Sequence, residues 1–403
     1  MVTICRDSVQ CLAFGRENDK IKKMFSDFVD FRHLTHVTKA GSESVNGFVL
    51  NLHYETMNYK ANALLKSSNQ KRSDNLYYEY LVGTKFINKV NEIFPCFTET
   101  YHLFEHGSTK TKNKSKMNKL SVSEYSDTVK INECDASEMK NLFDCFDKSC
   151  KTGVNFAILI QYISNPISVN SFLKKQDDKL FEGQMLCILY QIYACLSYLK
   201  DHFTHYDLHQ ENVLLYELPK GKFVNIKYID ERSGYTTIIK TNYIAKIIDY
   251  GRCYFGNLGN KSFATSKMIG QSVYESKTCP EVGLKNVGYN FFDKEATKDN
   301  HYISSVSKNI SHDLRLASIV AKKSKKMGKI FGKTIVYEKN YGTPQRKSDN
   351  SANLHNVTDM FHFLEGMSVD DIASVSVKDK PIGTIVVNMT KILCEKKMTF
   401  ASS

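Results

Sequence analysis

The sequence of 403 residues lacks the features that mark membrane-spanning, secreted or disulfide-stapled proteins. No apolar run approaches the length of about 18 residues that a transmembrane helix needs, so we expect no membrane span. Residues 1–20 carry charges throughout, so we expect no signal peptide, and a cytoplasmic or nuclear protein rather than a secreted one. The 11 cysteines include no Cys-x-x-Cys pair, which favours reduced thiols over a disulfide framework.

Arginine is scarce, although the formal net charge is +12 and most basic residues are lysines. Lysine is a point charge, whereas arginine supplies the bidentate fork that sequence-specific nucleic-acid recognition favours. We therefore interpret the excess charge as a solvated surface, with no specific nucleic acid as a partner. The Lys-Lys-Ser-Lys-Lys run at residues 322–326 leaves two interpretations open, a solvated loop or an anion-binding or nuclear-localisation patch.

Hydrophobic patterning predicts strands and one helix in the first part of the chain. The strands are expected at residues 45–54, 61–66, 97–104 and 155–163, with a helix over residues 76–90. Between the last two of these strands, residues 106–152 lack periodicity and are basic near residue 110. This composition indicates an inserted segment.

The second part of the chain is expected to be mainly helical. Residues 185–200 are apolar enough for a buried helix, and two strands flank a long hairpin between residues 213 and 248. Ser311 is a plausible N-cap for a later helix. The β-branched residues 385–389 predict either a small terminal strand or part of a helix.

The most informative stretch runs from His205 to Asn212 and reads His-Tyr-Asp-Leu-His-Gln-Glu-Asn. Together with an Asp-Tyr-Gly tripeptide beginning at Asp249, it gives H-x-D-x-x-x-x-N followed by D-aromatic-G. This order puts Asp207 and Asn212 on a short loop and Asp249 at the end of a strand. Phosphoryl transfer from ATP requires a carboxylate that orients the attacking hydroxyl, and an amide and a carboxylate that hold Mg²⁺.

These motifs resemble those of the protein-kinase superfamily over roughly residues 38–320. The resemblance implies an α+β, two-lobe fold with a small β-rich N-lobe and a larger, mainly helical C-lobe. The implied division is an N-terminal extension (residues 1–34), an N-lobe (35–163) with the basic insertion, and a C-lobe with a C-terminal extension (164–403).

By the same resemblance, Asp207 is the catalytic carboxylate, Asn212 and Asp249 are the metal ligands, and the cofactors are ATP and Mg²⁺. Lys66 looks like the third-strand lysine that contacts the phosphates, and Glu79 on the following helix looks like its ion-pair partner. Lys60 competes for the lysine role but has more polar neighbours.

The phosphate-covering loop would lie at residues 40–47 and departs from G-x-G-x-x-G. Its candidate phosphate-binding residues are Gly41, Ser42, Ser44 and Gly47. Glycines let backbone N–H groups approach phosphates, and here serine hydroxyls would replace some of them. The resemblance also places a hinge at Gln161 and Ile163, whose backbone groups would bind adenine.

Other positions match or depart from the family pattern. Cys279-Pro280-Glu281 resembles the tripeptide that ends an activation segment, and Asp313 resembles the carboxylate that anchors the catalytic loop. Tyr206 replaces the usual arginine, which argues against control by activation-loop phosphorylation. His209 replaces a lysine. The resulting Asp-Leu-His sequence resembles that of small-molecule kinases of the aminoglycoside and choline type.

His205 and His209, spaced four residues apart, allow a zinc pair as an alternative, but that site would need a continuous helix and a third ligand. We interpret His205 as a structural residue that packs within the loop.

The leading hypothesis is an ATP- and Mg²⁺-dependent protein kinase that acts on Ser/Thr hydroxyls of protein substrates. The motif style also resembles divergent kinase-like proteins of large DNA viruses. A small-molecule kinase is the second hypothesis, because of His209. A pseudokinase scaffold is the third, because of the degenerate glycine loop.

Overall fold

The computed structural model describes residues 22–28, 31–40, 47–56, 60–68, 74–106, 155–231, 233–256, 308–332, 334–335, 353–370 and 372–390. Several features expected from the sequence lie outside these ranges. They are most of the N-terminal extension, residues 41–46 of the phosphate-covering loop, the basic insertion, and the tripeptide at residues 279–281.

The strands and helices follow the chain in this order. The strands are β1 Leu34–Ala40, β2 Gly47–Glu55, β3 Lys60–Ser68, β4 Thr100–His106, β5 Asn155–Gln161, β6 Ile167–Ser168, β7 Phe203–Thr204, β8 Val213–Glu217, β9 Lys222–Asp230, β10 Tyr235–Thr241, β11 Tyr243–Ile247, β12 Tyr254–Phe255 and β13 Lys380–Asn388. The α-helices are α1 Asp74–Val82, α2 Asn88–Asn91, α3 Val169–Phe172, α4 Phe181–Leu199, α5 Arg315–Lys323, α6 Lys325–Phe331 and α7 Val357–Gly366.

An antiparallel sheet in the order β1-β2-β3-β5-β4 forms the first part of the chain. Its faces follow from the two-residue period of a strand. On β5, Ala157 and Leu159 join a cluster with Phe28, whereas Phe156 and Ile158 join the larger core that includes α1. Because both faces of β5 are buried, its sequence is a continuous apolar run.

The helical segment after β3 is continuous but changes type. Helix α1 runs into a π-helical segment, Gly83–Ile87, and then into α2, which matches the helix expected over residues 76–90. Gly83 makes the close approach to β4 possible, because a Cβ there would lie 2.0 Å from Thr100 Oγ1.

Helix α4 is the centre of the second part. Nearly all of its side chains are buried, as expected for a helix that is apolar on every side. Its one buried amide, Gln191, accepts a hydrogen bond from Ala245 N (3.0 Å) and donates one to Tyr243 O (3.0 Å). The helix therefore fixes β11, the strand that leads to Asp249.

The long hairpin expected between residues 213 and 248 is present with an additional element. Strands β8 and β11 pair, and between them β9 and β10 form an extended hairpin. Strand β13 pairs parallel to β9 and gives the order β10-β9-β13, so residues 385–389 are strand rather than helix up to Asn388. This part is therefore mixed helix and strand, with more strand than the expected mainly helical lobe.

Ser311 occupies the expected N-cap position, before the short 3₁₀ helix His312–Leu314, but its side chain makes no capping hydrogen bond. Instead, Asn309 Oδ1 accepts hydrogen bonds from Ser311 N (3.1 Å) and His312 N (3.2 Å). In the lysine run, Ser324 separates α5 from α6 and caps α6. Of the helices in the described ranges, none has the length and hydrophobicity that crossing a membrane requires.

Candidate active site

The loop that carries Asp207 is held by a buried carboxylate from a distant part of the chain. Asp313 Oδ2 accepts a hydrogen bond from His205 N (2.8 Å), and Asp313 Oδ1 accepts one from Tyr206 N (3.1 Å). Tyr206 has φ 61°, a left-handed conformation that costs a non-glycine residue about 1–2 kcal/mol. The two hydrogen bonds offset this strain, so Asp313 fixes the backbone immediately before Asp207.

Burial raises the pKa of Asp313 to about 7, although the two backbone N–H groups favour its charged form. Desolvation thus favours the protonated form of Asp313, and the hydrogen bonds favour its charged form. Its place in the fold agrees with the anchoring role that the sequence predicted for Asp313.

Asn212 and Asp249 come together because of strand pairing. Val213 pairs with Ile247 in the β8–β11 ribbon, and Ile248 N donates to Asn212 O (3.1 Å) just beyond it. Asn212, which precedes β8, therefore lies at the same end of the ribbon as Asp249, which follows β11. The Asn212 amide nitrogen donates to Asp207 O (2.9 Å), which joins this end to the Asp207 loop.

Lys66 links the first sheet to this ribbon. Its Nζ donates to Glu79 Oε2 on α1 (2.7 Å) and to Asp249 Oδ1 (3.0 Å). Burial alone would lower the pKa of Lys66, but the Asp249 and Glu79 carboxylates raise it, so the ammonium stays charged. Lys60 instead makes an exposed ion pair with Glu55, so of the two candidate lysines only Lys66 meets Glu79.

The carboxyls around Lys66 respond differently to their surroundings. The Lys66 ammonium lowers the pKa of Asp249. Burial raises the pKa of Glu79 to about 7, while Lys66 and the Tyr250 backbone N–H lower it. Removal of Lys66 would therefore favour the protonated form of Glu79.

The residues around Asp249 are strained and firmly anchored. Asp249 has φ 67°, and strain of this kind persists where the surroundings determine the backbone. The buried Tyr250 hydroxyl donates to Ile247 O (2.7 Å) and accepts from Thr98 N (2.9 Å). The tyrosine of the tripeptide thus fixes the backbone that carries Asp249.

Cationic side chains surround the Asp207 carboxylate. Arg315 Nη1 donates to Oδ1 (2.8 Å), and Arg252 Nη1 lies 3.7 Å from Oδ2. His209 Nε2 lies 3.8 Å from Oδ1, and burial lowers the pKa of this imidazole. His209 is therefore a neutral neighbour near pH 7, and the arginines supply the positive charge.

His205 is packed within the loop and does not resemble a zinc ligand. Its Nε2 lies 3.0 Å from Ile248 O, its Nδ1 accepts from Asp207 N (3.3 Å), and burial lowers its pKa. Both ring nitrogens of this neutral imidazole thus contact backbone groups. In the described part of the chain, no group of three or more His, Cys, Asp or Glu side chains could hold a metal ion.

An oxygen site for Mg²⁺ fits the residues present. The amide nitrogen of Asn212 is already engaged, which orients its carbonyl oxygen as the atom that would meet a metal. The Asp249 side chain is 42% exposed, and Lys66 contacts one of its oxygens. A carboxylate and an amide oxygen are the ligands that a hard cation prefers.

The remaining predicted residues are only partly described. Gly41, Ser42 and Ser44 lie outside the described residues, and Gly47 begins β2 opposite Ser68. Gln161 ends β5, where its N–H donates to Glu99 O (2.8 Å), and Ile163 is buried just after it. Adenine binding at this hinge remains a prediction.

Several residues that shape the site were not predicted from the sequence. Arg252, Arg315 and Gln191 each act through a partner far away in the chain. Lys246 is fully buried on β11, and its Nζ donates to Phe97 O (3.1 Å). The position of Lys246 in an otherwise apolar strand was the one local sign that this residue is unusual. It did not indicate that Phe97 O is the partner of its Nζ.

Comparison with known proteins gives little beyond this geometry. No protein-family model and no curated protein matches the chain. Among solved structures, it is similar to a kinase domain from Plasmodium, with 16% identity and a TM-score of 0.31. That match covers 58% of this chain and 54% of the other, so the chain spans about half the length of this neighbour. So distant a match carries no argument about function.

Proposed function

We propose that this chain is an ATP-dependent protein kinase that transfers the γ-phosphate to Ser or Thr hydroxyls. The observation that supports the proposal most is the convergence on Lys66. Its ammonium joins Glu79 and Asp249, and the β8–β11 ribbon brings Asn212 and the Asp207 loop to the same place. Phosphoryl transfer depends mainly on such positioning and on charge neutralisation.

Asp207 would act on the acceptor. Its carboxylate orients the hydroxyl and takes its proton as the hydroxyl oxygen forms a bond to the γ-phosphorus. The bond between that phosphorus and the bridging oxygen breaks, and ADP leaves with the bonding electron pair. The Asp313 hydrogen bonds to His205 N and Tyr206 N keep the backbone immediately before Asp207 fixed during this step.

Lys66, Asn212 and Asp249 would act on the nucleotide. Lys66, positioned by Glu79, contacts the α- and β-phosphates, and Asn212 and Asp249 hold the metal. When bound, Mg²⁺ would supply positive charge against the phosphate oxygens. The low exposure of Glu79 keeps its ion pair with Lys66 away from competing water.

A nucleotide-binding scaffold without turnover is the second candidate function. The observation that favours it is the 2.8 Å hydrogen bond between Arg315 and Asp207, because it occupies an oxygen that would otherwise accept the hydroxyl proton. A scaffold would bind ATP through Lys66 and Asp249 but transfer no phosphate.

A transfer assay with γ-labelled ATP and Mg²⁺ distinguishes these functions. The reactions contain the protein alone, generic acidic and basic proteins, or a panel of small hydroxylated metabolites. We expect label on protein serine or threonine. Label only on a metabolite would replace the proposal with a small-molecule kinase. Nucleotide binding without any label would replace it with a scaffold.

A further inference from the structure

Arg252 and Arg315 form a pair of guanidinium groups around Asp207. Arg315 approaches one carboxylate oxygen at 2.8 Å, and Arg252 approaches the other at 3.7 Å. The longer distance is an ion pair without a hydrogen bond. Arg252 is also the more exposed of the two, with 36% of its side chain accessible against 28% for Arg315. Its larger exposed fraction puts the Arg252 guanidinium within reach of a ligand that approaches Asp207.

The backbone on both sides of Arg252 is fixed. The buried Tyr78 hydroxyl on α1 donates to Cys253 O (2.6 Å), and Cys253 N donates to Tyr250 O (3.2 Å). These contacts hold Arg252 in a short turn between the anchored Tyr250 and the pairing of β12 with β7. The guanidinium thus extends from a rigid base, which lowers the entropy cost of binding a ligand.

Arg315 is fixed from the other side. It is the first residue of α5 and lies two positions after Asp313, whose carboxylate binds the loop before Asp207. The segment that holds the loop before Asp207 through Asp313 therefore also carries the arginine beside Asp207.

Charge is divided unevenly along the site. At the nucleotide end, the Glu79 and Asp249 carboxyls surround one ammonium, that of Lys66. At the acceptor end, the Arg252 and Arg315 guanidinium groups surround one carboxylate, that of Asp207. An excess of carboxyls suits a metal ion, and an excess of guanidinium groups suits an anion.

We propose that Arg252 and Arg315 select an acceptor that carries an anionic group, either a carboxylate or a phosphate, next to its hydroxyl. This inference rests on the proposed kinase function and names its substrate class. A carboxylate or phosphate accepts bidentate hydrogen bonds from guanidinium, so it competes with Asp207 for the arginines. As it binds, it draws Arg315 away and frees the Asp207 oxygen that receives the hydroxyl proton.

The test uses three peptides that differ only next to a single serine, where they carry alanine, aspartate or phosphoserine. With the wild-type chain, we expect kcat/KM for the aspartate and phosphoserine peptides to exceed that for the alanine peptide by at least about tenfold. In Arg252→Gln, the ratio of kcat/KM for the anionic peptides to kcat/KM for the neutral peptide should fall towards one. Lys240→Gln, which removes an exposed charge on β10, should keep the wild-type ratio.

Different results would overturn different conclusions. Equal rates on all three peptides with the wild-type chain would overturn the inference and leave the kinase function intact. An equal fall in kcat/KM for neutral and anionic peptides in Arg252→Gln would also overturn the inference. The arginine would then contact the phosphates of ATP rather than the acceptor. No transfer to any peptide or protein would instead overturn the proposed function.

Discussion

Lys66 and Asp249, 183 residues apart in the chain, meet at 3.0 Å between Nζ and Oδ1. This contact joins the antiparallel sheet of the first part of the chain to the β8–β11 ribbon of the second. Because Lys66 also binds Glu79 on α1, one ammonium connects a strand, a helix and the turn after β11. The candidate site is therefore tied together across both parts of the chain through Lys66.

Replacing Lys66 by Met should lower phosphate transfer by at least about 100-fold, because a preorganised charge on the phosphates is lost. The fold should survive, since burial lets Glu79 take up a proton near neutral pH once its partner is gone. Initial rates and thermal unfolding measured together check both parts. Lys60→Met is the matched control on the same strand, because the Lys60 side chain is exposed and forms an ion pair with Glu55 rather than with Glu79. Equal losses in the two variants would contradict the assignment.

Replacing Asp313 by Ala should destabilise the chain, because the buried N–H groups of His205 and Tyr206 lose their acceptors. Each unsatisfied donor costs about 1–3 kcal/mol. Denaturant unfolding measures the change in the free energy of unfolding. Asp313→Asn keeps one acceptor oxygen, so its free energy of unfolding should fall by less than that of Asp313→Ala. If both variants were as stable as the wild type, Asp313 would not anchor the loop.

Lys246 should give stability a distinct pH dependence. Burial lowers its pKa to about 8, whereas an unfolded lysine has a pKa of about 10.4. Between these values the unfolded chain binds more protons, so the free energy of unfolding rises with pH. The rise is at most about 1.4 kcal/mol per pH unit from this group.

The comparison of wild type with Lys246→Met isolates this effect, since other groups titrate alike in both. We expect the variant's free energy of unfolding to rise less between pH 8 and about 10 than that of the wild type. Exposed Lys240→Met is the control and should follow the wild type. Parallel curves for wild type and Lys246→Met would show that Lys246 is not desolvated in the folded chain.

Adding a methyl group at Gly83 should cost about 1–3 kcal/mol of stability, as overpacking usually does. A Cβ at Gly83 would lie 2.0 Å from Thr100 Oγ1 and 2.6 Å from its Cβ, so the π-helical segment and β4 would have to move apart. Gly366→Ala is the control, because nothing lies within 4 Å of a Cβ there. Denaturant midpoints compare the two variants, and a Gly83→Ala chain as stable as Gly366→Ala would contradict the close approach.

Local parts of the site could be predicted from the sequence. Asp207 and Asn212 lie five residues apart, so one loop brings them together wherever it sits in the fold. The apolar strands β2, β3 and β5 were also predicted, because strand periodicity and burial agree there. The pairing of Lys66 with Glu79 was expected only through the kinase resemblance, since no local pattern fixes which helix residue meets a strand lysine.

The unpredicted features depend on contacts between distant segments. Arg315 meets Asp207 across 108 residues, and Gln191 meets β11 across more than 50. Strand β13 pairs with β9, although their sequences alone do not specify a partner.

The most direct test of the proposed kinase function compares phosphate transfer from γ-labelled ATP, in the presence of Mg²⁺, by Asp207→Asn and Asp201→Asn. Both variants remove one carboxylate charge, but Asp201 lies at the surface in an ion pair with Lys308. We expect Asp207→Asn to lose transfer to protein while still binding nucleotide, and Asp201→Asn to keep the wild-type rate. Undiminished transfer by Asp207→Asn would contradict the assignment of the catalytic carboxylate.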